Sequence, residues 1–173
     1  MSCSLGDACG YVWGRVNERT TISMTNTRLR QTYFGAIEPR LGQVSLAPAQ
    51  CGNGKETVAF LQSLRKNYEG KRLVIVWDNA SYHKGQEVRS YLAEVNANLA
   101  PEEWLITCIG FAPNAPEQNP MEDIWQKGKQ GIRRNWCQCT TFARVKEIFG
   151  KTLQNTCHNF AKLYKYTPFL EIT

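Results

Sequence analysis

With 173 residues and 42% hydrophobic content, the chain has the size of one ordinary globular domain that can bury a core. Its longest uninterrupted apolar run, Leu73 to Trp77, is far shorter than the ~20 residues of a bilayer span, and no basic segment followed by an apolar stretch opens the chain. Neither a membrane nor a secreted protein is therefore expected, and a cytoplasmic location without a membrane partner is. The formal net charge of +6 is uneven: from Met121 onward there are 9 Lys and Arg against 4 Asp and Glu, a distribution that points to a polyanionic partner or to a solvated helix face.

Residues 10 to 48 alternate short β-prone runs with turn residues, which predicts an antiparallel meander with strands at Tyr11 to Trp13, Thr20 to Met24, Thr32 to Ile37 and Val44 to Leu46. Asn53-Gly54 then opens a helix on which Val58, Leu61, Leu64 and Tyr68 recur at helical spacing, closed by Gly70. Leu73-Val74-Ile75-Val76-Trp77 reads as a central strand covered on both faces. Val88, Tyr91, Leu92 and Val95 predict a second helix, and Trp104 to Ile109 another strand. A loop rich in Pro and Asn, Ala112 to Pro120, leads into a helix with the stripe Met121, Ile124, Trp125, Gly128 and Ile132, and a last helix carries Phe142, Val145, Phe149 and Leu153. The aromatic and basic tail from Phe160 has no legible pattern. Strands first, then alternating helix and strand, fit one α/β domain over residues 1–173 with helices on the faces of a mixed sheet. The seven cysteines are odd in number and scattered, so they are expected to be reduced, and Cys137-Gln-Cys139 with Cys157-His158 lacks the two-residue gap of a zinc knuckle.

Two carboxylates stand out by position. Asp78 directly follows the apolar strand, at the carboxyl end where ligands of open α/β sheets sit, although Asp-Asn-Ala-Ser is also good chemistry for leaving a strand. Glu122 stands in Asn119-Pro120-Met121-Glu122, which spells an N-cap, a proline at the first helical position and a capping-box carboxylate. If the two meet, they offer all-oxygen ligation to a hard divalent ion, which suits phosphodiester chemistry. There is no glycine-framed serine and no phosphate-cradling loop ending in Lys-Ser/Thr, and two histidines make a histidine-rich zinc centre improbable.

The strings Val76-Trp77-Asp78-Asn79-Ala80-Ser81-Tyr82-His83 and Phe111 to Trp125, the latter containing Asn119-Pro120-Met121-Glu122, together resemble the second and third catalytic motifs of mariner-superfamily bacterial insertion-sequence transposases, a DDE-type group. Gly10 to Gly14 and Gln31 to Ala36 also resemble the early strands of bacterial members, so the resemblance runs from residue 6 to about residue 135. The 43 residues between Asp78 and Glu122 are long for the group, with Asn96 to Glu103 as the apparent insertion.

The resemblance implies an RNase H-like fold with a five-stranded mixed sheet flanked by helices, Asp78 on the fourth strand and Glu122 on the helix after the fifth. It implies that Asp78 and Glu122 hold Mg²⁺ or Mn²⁺, and that the protein cuts DNA at insertion-sequence ends and joins the freed 3′-hydroxyl to target DNA. Asn79, His83, Lys127, Lys129, Arg133 and Arg134 are then the residues expected to contact DNA, with a nucleoid-associated protein and a homodimer as compatible settings. The chain departs from the group by lacking helix-turn-helix modules ahead of the sheet and by leaving the first catalytic Asp without an identified residue, since Asp7 stands where relatives carry a different aspartate and Glu38 is out of place. An N-terminally truncated catalytic domain is therefore expected. A product that binds DNA or full-length transposase without cutting is the alternative.

Overall fold

A computed structural model describes residues 1–9, 15–18, 21, 28–113, 118–154 and 156–166. The predicted strands at Tyr11 to Trp13 and Thr20 to Met24 lie outside the described residues. The elements run β1 (Ser2–Ser4), β2 (Arg30–Glu38), β3 (Gln43–Ala49), α1 (Gly54–Asn67), β4 (Leu73–Trp77), α2 (Gln86–Val95), β5 (Ile106–Gly110), α3 (Pro120–Arg134), α4 (Phe142–Gln154) and α5 (Ala161–Tyr164), with short 3-10 turns between some of them.

The architecture is mixed α/β, compatible with an RNase H-like domain, yet the five described strands do not join into one sheet. They form a three-stranded antiparallel sheet in the order β1-β2-β3 and a separate parallel pair β4-β5. The physical reason lies in β1, which is three residues long and pairs only with the first part of β2, from Ser2 opposite Thr32 to Ser4 opposite Arg30. Met1 extends the pairing by one step, its carbonyl accepting from the Tyr33 N–H at 2.7 Å. From Phe34 to Glu38 the β1-side edge of β2 has no strand partner among the described residues, and neither has the second edge of β4.

Each sheet has its own core. Cys3, Tyr33, Met121, Ile124, Trp125, Ile132, Val145, Phe149 and Leu153 bury together between the antiparallel sheet and α3–α4. Helix α3 approaches α4 closely because Gly128 leaves room for Phe149; a Cβ on Gly128 would stand 2.5 Å from Phe149 Cε2. Phe149 is fully buried and stacks on Trp125 with ring centroids 6.2 Å apart, so truncating it to Ala would cost about 3–5 kcal/mol. On the other side, Leu61, Val88 and Ile106 anchor a second cluster in which Val58, Ile75, Trp77, Tyr91 and Leu92 join α1 and α2 to the parallel pair.

The expectation that β4 is covered on both faces is corrected here. Ile75 and Trp77 pack on the helices, but Val74 is 63% and Val76 39% exposed. A run of apolar residues has no period that says whether a second layer exists, and here none of the described elements covers that face. The predicted strand at Trp104 to Ile109 starts later, at Ile106, because Pro101–Glu103 form a 3-10 turn and the Asn96 side-chain oxygen accepts from the N–H groups of Leu105 and Ile106. No described helix is long and apolar enough to cross a membrane.

Candidate active site

The parallel pair delivers Asp78 one residue past the end of β4. Its Oδ1 accepts from the Ala80 N–H at 3.0 Å, the turn chemistry expected of Asp-Asn-Ala-Ser. His83 returns to the same residue, its Nδ1 lying 3.1 Å from both the Oδ1 and the backbone carbonyl of Asp78. Both neighbours accept hydrogen bonds, so Nδ1 carries the proton and donates. The His83 ring is fixed by stacking on Trp77, centroids 4.5 Å apart and planes at 10°, with an edge contact from Tyr82. Its side chain is only 10% exposed, against 54% for Asp78. One carboxylate oxygen is thereby held, while Oδ2 has no hydrogen bond among the described residues.

Helix α3 delivers Glu122 in its first turn. Asn119 caps the helix as expected, but its side chain accepts from the Met121 N–H at 2.9 Å, and the reciprocal bond of a capping box is not made. The Glu122 carboxylate is exposed and has neither hydrogen bond nor ion pair among the described residues. Its place is set by packing further along the helix. A Cβ on Gly35 of β2 would stand 2.7 Å from Met121 Cε and 2.9 Å from Trp125 Cζ2, so only glycine lets α3 lie this close to the sheet.

Asp78 and Glu122 line one cleft of about 280 Å³ between β2, β4 and the start of α3, and they are the only carboxylates among its described lining residues. Met1 lines the same cleft. The donor set is two carboxylates with no nitrogen or sulfur, the chemistry of a hard divalent cation, and the residues present fit such an ion. No group of three or more His, Cys, Asp or Glu side chains that could hold a metal occurs among the described residues.

The remaining residues picked out in the sequence fall elsewhere. Asp7 is outside the cleft with both oxygens engaged: Oδ2 accepts from the Ser4 N–H at 2.7 Å, and Oδ1 pairs with Lys129 Nζ at 3.1 Å. Lys129 is therefore spent on Asp7. Lys127 lies over the Phe160 ring, 4.7 Å from its centroid. Asn79 turns its amide to the Phe111 carbonyl at 2.8 Å, tying the exits of β4 and β5 together. Arg133 and Arg134 are exposed and without a partner among the described residues. They sit in the last turn of α3, and Arg133 is about 17 Å along the axis from Glu122 at 1.5 Å per residue. The basic pair is thus remote from the carboxylates rather than beside them. His158 is buried, its ring Nε2 lying 2.9 Å from the Leu153 carbonyl oxygen.

The sequence reading missed the C-terminal rim of the cleft. Helix α5 docks through the buried Leu163 and a Lys162–Asp123 ion pair of 2.5 Å, and this brings Tyr166 into the cleft beside Phe111. A four-residue helix gives no periodicity, so nothing in the tail signalled it. Compared with known families, the chain matches a family model described as DDE superfamily endonuclease over residues 1–142. A comparison with curated proteins finds no match.

Proposed function

Because this chain belongs to the DDE superfamily endonuclease family, we propose that it is built for metal-dependent cleavage and strand transfer of DNA phosphodiester bonds, of the mariner-like insertion-sequence type. The observation that carries the reading is that Asp78, just past a strand end, and Glu122, in the first turn of a helix, line one cleft. DNA substrate and divalent-metal use follow from the family; Mg²⁺ or Mn²⁺ as the ion, and insertion-sequence ends as the target, are the finer parts of the proposal.

The chain's own contribution is positional. Ala80 N–H and His83 Nδ1–H hold Asp78 Oδ1, which orients Oδ2 without consuming it. The Glu122 carboxylate has no hydrogen bond or ion pair among the described residues and is available to a ligand. Asp78 and Glu122 would hold Mg²⁺ or Mn²⁺, which when bound supplies Lewis-acid polarisation of a phosphoryl oxygen and activation of the attacking oxygen. We assign His83 a positioning role on this basis, in place of DNA contact, and take Arg133 and Arg134 as the main phosphate contacts outside the cleft. A completed five-stranded sheet belongs to this proposal as well.

A second reading, DNA binding without turnover, is favoured by one observation: two carboxylates, not three, line the cleft among the described residues. The experiment that separates the two is Mg²⁺- or Mn²⁺-dependent nicking of labelled duplex DNA by the chain and by Asp78→Asn and Glu122→Gln. Nicking that both substitutions abolish supports the endonuclease. Binding with no metal-dependent nicking leaves only the second reading, and nicking that survives both substitutions removes Asp78 and Glu122 from the site.

A further inference from the structure

We propose that residues 160–166 form a strap that positions Glu122 relative to Asp78, with Lys162 as the positioning residue. The inference rests on the endonuclease reading and names what holds the second carboxylate of that site in place.

The strap lies antiparallel along the start of α3. The Phe160 ring packs under the Lys127 ammonium, 4.7 Å from centroid to Nζ. Lys162 Nζ meets Asp123 Oδ2 at 2.5 Å, and the Tyr166 hydroxyl donates to the Gln118 carbonyl at 2.5 Å. Asp123 and Lys127 are one turn apart and share a face of the helix. The contacts thus fall on both sides of Glu122 in sequence, while the Glu122 carboxylate has no hydrogen bond or ion pair among the described residues. Its position is therefore that of its turn.

The strap is itself anchored. Leu163 is buried, and just upstream the His158 N–H donates to the Gly42 carbonyl at 2.8 Å. The two backbones are so close that a Cβ on Gly42 would stand 2.0 Å from the His158 oxygen. At its far end the Tyr166 ring meets Phe111, centroids 6.4 Å apart. The Phe111 N–H donates to the Trp77 carbonyl and its carbonyl accepts from the Asn79 amide, each at 2.8 Å, so Phe111 is bonded to both neighbours of Asp78. One short segment, beyond the residues 1–142 matched by the family model, therefore reaches both carboxylate-bearing elements.

Lys162 is singled out by what its removal leaves. Asp123 Oδ2 is closed off from solvent, and the Lys162 ammonium faces it. An anionic oxygen left shielded and unpaired is strongly unfavourable, so without Lys162 the turn shifts to bring Oδ2 to water. Glu122 is the preceding residue on that turn and moves with it. Groups that orient a metal ligand from outside are worth about 10- to 100-fold in metal affinity. The direct electrostatic effect of Lys162 has the opposite sign: a nearby cation repels a divalent ion, so deleting it would by itself tighten binding. A loss of affinity on deletion thus reports position and not charge.

The test measures Mn²⁺ affinity of the full chain from the free-ion electron paramagnetic resonance signal, for wild type, Lys162→Met and Lys162→Arg, with circular dichroism reporting the fold. Lys162→Met should weaken Mn²⁺ binding by about 10-fold or more, and Lys162→Arg, which keeps the ion pair, should stay near wild type. Hydrogen exchange by NMR gives a second readout that needs no metal: amides of residues 121–125 should exchange faster in Lys162→Met, with those of the buried α4 residues Val145, Phe149 and Leu153 unchanged. Mn²⁺ affinity that is equal or tighter in Lys162→Met overturns the proposal, as does a loss that Lys162→Arg shares in full. Wild type that binds no Mn²⁺ refutes the endonuclease reading instead. Exchange then decides the strap alone, with faster exchange at 121–125 supporting it and unchanged exchange overturning it.

Discussion

Replacing Glu122 by Gln separates a metal-binding carboxylate from a structural one. Glu122 has no hydrogen bond or ion pair among the described residues, so its stabilising interaction in the free protein is with the helix N-terminus, about 0.3–1 kcal/mol at an exposed position. Removing its charge also relieves repulsion from Asp78 across the cleft. The two effects oppose, and the metal-free variant is expected to melt within about 3 °C of wild type, since 1 kcal/mol moves Tm by roughly 2–4 °C at this size. A bound ion changes the comparison. At a hundred times its Kd, a divalent cation stabilises the folded state by about 2.7 kcal/mol, or roughly 5–11 °C. Wild type should therefore show that rise on titration with Mn²⁺, and Glu122→Gln and Asp78→Asn should lose most of it. Differential scanning fluorimetry over an Mn²⁺ series, with an EDTA control, measures both quantities. Equal Mn²⁺ shifts in wild type and variants would refute the assignment, and a metal-free Glu122→Gln that melts more than about 5 °C lower would return Glu122 to a structural role.

Arg133→Ala with Arg134→Ala should flatten the slope of log affinity against log salt by up to about two units at ~0.9 per phosphate, read by fluorescence anisotropy, whereas Lys129→Ala should leave the slope unchanged because Lys129 is paired with Asp7. Gly35→Ala drives a methyl into Trp125 and Met121, and the overpacking should lower stability by about 1–3 kcal/mol in a thermal melt and reduce nicking by shifting the helix that carries Glu122. Alkaline pH should destabilise the fold: burial raises the Cys108 thiol to about 12 and, as the leading cause, the Cys3 thiol to about 11, each from an ordinary value of 9.0. The folded state thus favours the protonated thiols, their contribution is complete below pH 9 and is lost as pH rises towards 11 and 12, and a Tm that stayed flat across that range would contradict the burial of both groups.

Much of the local structure was legible because periodicity and capping are properties of neighbouring residues. Leu61 and Leu64 on α1, Ile124, Trp125 and Ile132 on α3, and Val145, Phe149 and Leu153 on α4 are all buried where their spacing puts them. Asn119 caps α3, and Asp78 leaves β4 with the turn bond its neighbours predict. What failed was long-range. Nothing in Leu73 to Trp77 says that Val74 and Val76 lack a covering layer, and the basic character of Lys129 does not reveal that Asp7, more than a hundred residues earlier, would pair with it. The motif Asn119-Pro120-Met121-Glu122 predicts a capping-box carboxylate, yet the Glu122 side chain makes no hydrogen bond among the described residues, and nothing local announces that. The approach of Tyr166 to Phe111 depends on a buried Leu163 and a distant Asp123, neither of which forms a local pattern.

The separation of charges along α3 has a consequence for how DNA is held. Glu122 opens the helix and Arg133 closes it, about 17 Å apart, while the Debye length at physiological ionic strength is about 8 Å. The exposed arginines therefore attract backbone two or three phosphates away from the cleft, and they do little to offset the repulsion between a phosphate at the cleft and the pair Asp78 and Glu122. That repulsion must be cancelled locally. No lysine or arginine occurs among the described residues lining the cleft. A divalent cation between the carboxylates would cancel their two negative charges, so on the proposed reading it serves binding of the scissile phosphate as well as its reaction. Chelation should therefore weaken a substrate whose phosphate reaches the cleft by more than it weakens DNA held only at Arg133 and Arg134. If EDTA leaves wild-type affinity untouched for both, the arginines carry the binding alone and the carboxylate cleft takes no part in it.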